Sequence, residues 1–110
     1  MDKQQVIADL RATRDRMTPE NWCGDGWTGP LDSQKCVLHH LSDVINEECP
    51  ASSTRWREAS NAMARHIPYR NDTMGYNVGN YNDMPTTTFE DIQVLVDKTL
   101  AELGGMCADT

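Results

Sequence analysis

The chain has 110 residues, which suits one domain around one core, and its 17 acidic against 10 basic side chains give a formal charge of −7. Those charges are dispersed and form no basic stripe to neutralise phosphates, so nucleic-acid binding is not expected. No apolar run approaches the roughly 18 residues of a membrane span, and MDKQQVIADL lacks the apolar centre of a signal peptide, so no membrane partner and a cytoplasmic location are expected.

In that compartment Cys23, Cys36, Cys49 and Cys107 are expected as reduced thiols. Hydrophobic residues make up 38% of the chain, which predicts a modest core with Met and Trp filling irregular space.

The spacing of Val6, Ile7, Leu10, Arg14 and Met17 predicts a first helix over Gln5–Met17, closed by Thr18-Pro19-Glu20. Cys23 to Asp32 then reads as a loop, with three glycines and a proline. Trp22 and Trp27 flank its glycines. A buried indole must find a partner for its N–H, so both are read as pinning the loop to the helices.

The segment Lys35–Glu48 (KCVLHHLSDVINEE) reads as an amphipathic helix with Val37, Leu41, Val44 and Ile45 on one face. Asp32 or Ser33 is expected to cap it, and Cys49-Pro50 to end it. A third helix follows Ser52, Ser53 or Thr54 and runs to about His66, with Trp56, Ala59, Met63 and Ile67 inward.

Pro68 to Thr87 shows no apolar period and reads as a long irregular segment, with a short hairpin through Gly75 to Tyr81 as one option. Two capping boxes compete at the next helix, Thr87 with Glu90 and Thr88 with Asp91, and the register favours Thr87. Phe89, Ile92, Val96, Thr99, Leu100 and Leu103 form its stripe, Gly104-Gly105 stop it, and 104–110 is a tail. The expected fold is all-α, a compact single domain (1–110) of about four helices with a long Tyr/Asn-rich loop before the last.

Two sets of residues carry candidate function. Cys36 with His39 or His40 sits at ligand spacing on one helical face, and Cys23 could add a third donor for zinc. The same Cys36/His40 pair would serve a hydrolase if the imidazole withdrew the thiol proton, yet no glycine-rich elbow or oxyanion hole accompanies it. Packing is the ordinary role of such side chains on an apolar helix, so no metal or other cofactor and no catalytic residue is expected.

The second set is Tyr69, Tyr76, Asn80, Tyr81, Asn82 and Asp83, where tyrosines offer contact area at small entropy cost. The favoured reading is a non-enzymatic protein-interaction module that binds a protein partner through this loop, with a homodimer as its simplest version.

Three segments, taken in order, resemble a known family: Trp22-Cys23-Gly24, Cys36-Val37-Leu38-His39-His40-Leu41, and Tyr81-Asn82-Asp83 followed by Thr88-Phe89-Glu90-Asp91. The chain is similar to small actinobacterial and actinophage proteins known only as a domain of unknown function. Their patterns are Trp-Cys-Gly, Cys-x-x-Gly-Ala-Leu, and Trp-Asn-Asp leading through Thr into an apolar helix.

The resemblance runs from the first helix to Leu103. Two departures stand out: His39-His40 replaces Gly-Ala, which would widen helix packing or place the histidines at an opening, and Tyr81 replaces Trp. The resemblance implies a compact domain from a phage-encoded or accessory gene, and it carries no activity or catalytic residues.

Overall fold

The computed structural model describes residues 2–24, 29, 33–49, 53–67 and 78–104. Its elements in chain order are α1 (Lys3–Arg16), α2 (Val37–Glu48), α3 (Ser53–Ala64), α4 (Val78–Asn82) and α5 (Phe89–Leu103). The fold is all-α, and among the described residues the one extended feature is an isolated parallel bridge between Trp22 and Lys35. No helix of the described residues is long and apolar enough to cross a membrane.

Each long helix forms because an apolar stripe repeats at helical spacing and finds a neighbour to bury it. α1 packs on α2, α3 and α5, while α3 also meets α2 and α5. Leu10, Leu41, Ile45, Met63, Ile92 and Leu100 are the largest side chains fully enclosed between them. The radius of gyration is 13.2 Å, matching the roughly 13 Å of a tightly packed chain this long.

Two buried threonines sit inside these helices. Thr13 Oγ1 donates to the Asp9 carbonyl at 2.7 Å, and Thr99 Oγ1 donates to the Leu95 carbonyl at 2.8 Å, so neither hydroxyl is left without a partner in the core.

The helix ends correct several expectations. α1 starts earlier than Gln5, since Asp2 caps it by accepting the Gln5 backbone N–H at 3.1 Å. α2 starts at Val37 rather than Lys35, and its cap is Cys36 rather than Asp32 or Ser33. The cause is tertiary. The Lys35 N–H donates to the Asn21 carbonyl at 2.9 Å and its carbonyl accepts from Cys23 N–H at 3.2 Å, which holds Lys35 extended.

At α5 the cap is Thr88, not Thr87. Thr88 Oγ1 accepts from the Asp91 N–H and the Asp91 carboxylate accepts from the Thr88 N–H, a reciprocal box. Thr87 is instead taken up by a turn, its N–H donating to the Met84 carbonyl at 3.0 Å. The stop at Gly104 is as expected, with φ at 82°.

The segment expected as wholly irregular contains a fifth helix, α4, in place of any hairpin reaching Tyr81. Its sequence, Val-Gly-Asn-Tyr-Asn, is poor in helix formers, so packing rather than propensity holds it. Val78, Tyr81 and Asn82 are buried, and the helix lies against α2 and α3. Residues 68–77, with Tyr69 and Tyr76, lie outside the described residues, as do Trp27 and Cys107.

Candidate functional site

Asn82 gathers the motif residues into one place. Its side chain is fully enclosed, yet the pattern around it accounts for its whole bonding capacity. The amide oxygen accepts from the Trp22 indole N–H at 2.7 Å and from the Val37 backbone N–H at 3.1 Å. The amide nitrogen donates to the Cys23 carbonyl at 2.9 Å and to the Asp83 carboxylate at 3.0 Å.

One side chain on α4 therefore ties down the loop after α1 and satisfies a donor of the first turn of α2. Gly24 permits this approach, because a Cβ there would lie 3.2 Å from the Asn82 carbonyl and 3.3 Å from the Trp22 ring. Trp22 is pinned as expected, with its ring also tilted against Phe89 at 6.1 Å.

These positions revise the candidate contact residues. Asn82 is interior and Tyr81 is 8% exposed, so neither offers its side chain broadly to a partner. Asn80 and Asp83 are exposed, and Asp83 steadies the Asn82 amide.

The Cys/His cluster is not brought together as a metal or nucleophilic centre. Among the described residues no three His, Cys, Asp or Glu side chains are placed to hold a metal ion. Cys36 Sγ accepts the His39 backbone N–H at 3.4 Å as the α2 cap, while His40 Nε2 meets the Asn21 carbonyl at 2.9 Å, so thiol and imidazole do not bond one another. Burial pushes the Cys36 thiol up from its usual value. The His39 and Leu38 backbone groups oppose that rise, and Asp83 and Cys23 add to it.

The two histidines take different roles. His39 lies at the helix edge, 3.8 Å from Asp43, whose carboxylate also holds Lys35 Nζ at 2.5 Å. His40 is 3% exposed. Facing a carbonyl oxygen, its Nε2 must carry the proton, and its buried Nδ1 has no hydrogen-bond partner among the described residues.

Burial lowers the His40 pKa. The Asn21 carbonyl and Asp43 act the other way, and Lys35 and His39 reinforce the lowering. Because the folded value lies below the unfolded 6.5, the unfolded chain takes up the proton first as pH falls. The fold is thus free of this penalty above 6.5 and loses stability as pH drops through and below that value, until the folded pKa is passed. Thermal melts over a descending pH series should show this loss. His40→Gln, which keeps a donor for Asn21, should flatten it.

A groove opens where Tyr81 of α4 meets α5. Its cavity of about 180 Å³ is lined by His66, Tyr81, Asp91, Val94, Leu95 and Lys98. The side chain of Val94, on α5, is 49% exposed, the one large hydrophobic left so among the described residues.

At the nearby rim, His66 Nε2–H donates to Glu102 at 2.9 Å and Arg65 pairs with the same oxygen at 2.8 Å. Together they hold the Glu102 carboxyl below the usual carboxylate range. Sequence reasoning passed over this groove, although Val94 stands off the inward stripe of α5 and was the available signal.

Residues 1–102 match a family of unknown function, DUF6197, and the chain belongs to that family. No curated protein and no solved structure matches the chain.

Proposed function

We propose that this family member is a protein-interaction module that grips a partner protein through the groove between α4, α5 and His66, just past the end of α3. The observation that carries the reading is Val94, an exposed apolar side chain at the lip of a cavity walled by Tyr81 and Leu95. An apolar side chain of the partner enters the cavity, and Asp91, Lys98 and His66 supply polar contacts around it. The net charge of −7 favours a partner with a basic surface. A phage-encoded or accessory gene suits a module of this kind.

Val94→Glu tests the reading without disturbing the core, because the side chain already meets solvent. A partner recovered by the wild-type chain from a lysate should be lost by this variant at unchanged melting temperature. Equal recovery by both removes the groove as the site. Light scattering on the two proteins separates a homodimer, dissolved by the same substitution, from a different partner. Tyr81→Ala is the poorer probe, since removing a buried ring would unsettle the fold as well.

A further inference from the structure

The residues that follow the parallel bridge on its two sides, Cys23 and Cys36, are both buried thiols. Trp22 is paired with Lys35, and the Cys23 N–H reaches back to the Lys35 carbonyl, so the next pair in register is Cys23 with Cys36. In a parallel register, residues directly opposite one another project to the same face, and neighbouring backbones run about 4.8 Å apart. The ladder goes no further, because the Asn82 amide takes the Cys23 carbonyl and the Val37 N–H that would have bonded next, but a disulfide spans roughly 4.4–6.8 Å between Cα atoms and so accommodates a pair wider than the ladder spacing.

Both cysteines are thiols and both are buried, at 6% and 4% exposure. Gly29 packs directly on the first of them, where a Cβ would come within 3.1 Å of the Cys23 sulfur.

We infer that Cys23 and Cys36 are an oxidisable thiol pair that closes to a disulfide when the protein meets a two-electron oxidant of the peroxide class. One thiolate attacks the peroxide O–O bond, giving a sulfenic acid, and the displaced oxygen leaves as water after protonation. The second thiol attacks the sulfenic sulfur. The S–S bond forms, the S–O bond breaks, and the hydroxyl leaves as a second water.

Two thiols are thus oxidised by one peroxide, which is reduced to water. Burial makes the first step slow and dependent on local opening around the two thiols. Once closed, the bond links the loop that carries Trp22 covalently to the cap of α2, beside the Asn82 contacts.

The test uses full-length protein with Cys49→Ser and Cys107→Ser, which leaves this pair untouched. Folded, reduced protein is treated with hydrogen peroxide and read by intact mass and by non-reducing digestion. The expected result is loss of two hydrogens per chain, a link between the Cys23 and Cys36 peptides, reversal by dithiothreitol, and a raised melting midpoint. Adding Cys36→Ser should abolish the hydrogen loss and leave oxygen addition on Cys23. Separate oxygen addition on both cysteines of the folded protein, or a link that forms only in urea, overturns the inference.

Discussion

Asn82→Leu is expected to cost on the order of 4 kcal/mol of folding stability, because the substitution strands several buried polar groups at about 1–3 kcal/mol each. The Trp22 indole N–H and the Val37 N–H lose their acceptor, and the Cys23 carbonyl loses its donor. For a chain of this length that is a drop of about 15 °C in Tm, readable by circular dichroism.

Asn82→Asp separates the two halves of the amide. It keeps an acceptor for Trp22 and Val37 but turns an anionic oxygen toward the Cys23 carbonyl and Asp83. Its deficit relative to wild type should narrow as pH falls toward the carboxyl range, where a protonated side chain donates again. A leucine variant within about 1 kcal/mol of wild type would show that these contacts are incidental.

Arg55→Met is the second large effect, expected on the order of 3–5 kcal/mol because it leaves a buried charge without its partner. Asp9 is 2% exposed on α1, and its carboxylate takes two bonds from the Arg55 guanidinium on α3, at 2.5 and 3.1 Å. Asp9 and, secondarily, Glu48 hold that guanidinium well above the usual arginine range.

The pair with Glu48 at 3.0 Å is exposed and contributes little by comparison. The double variant Asp9→Leu/Arg55→Met should recover most of the loss, since it removes both charges from the interior and leaves only Gln5 and the exposed Glu48 short of a partner. Urea unfolding of the two singles and the double completes the cycle. Additive losses would show that the two residues are not coupled.

Both expectations concern contacts that sequence reading did not find. Asp9 and Arg55 both stand off the apolar stripes read for the first and third helices. Their pairing spans 46 positions, and neither helical spacing nor composition connects them. Asn82 was visible as part of a motif, but its reading as a partner contact pointed outward rather than into the centre of the molecule, where its side chain is enclosed. As for the Cys/His cluster, ligand spacing along one helix was legible, while the direction each side chain takes was not.

The sequence by itself determined the helical class, the inward stripes of the four long helices, the end of α2 at Cys49 and the glycine stop of α5. These features rest on interactions within a few residues: apolar side chains at helical spacing, a proline that the preceding residue must accommodate, and a glycine that accepts positive φ.

Only the tertiary structure decided where α2 begins, which threonine caps α5, that a glycine- and asparagine-rich stretch forms α4, and what Asn82 and Asp9 bond to. In each case several local solutions were nearly equal in energy. A distant partner chose between them: the residues after α1 for Lys35, and Trp22 with the first turn of α2 for Asn82. Buried polar groups must be satisfied wherever the chain brings a donor or acceptor, and that location is a property of the packed fold.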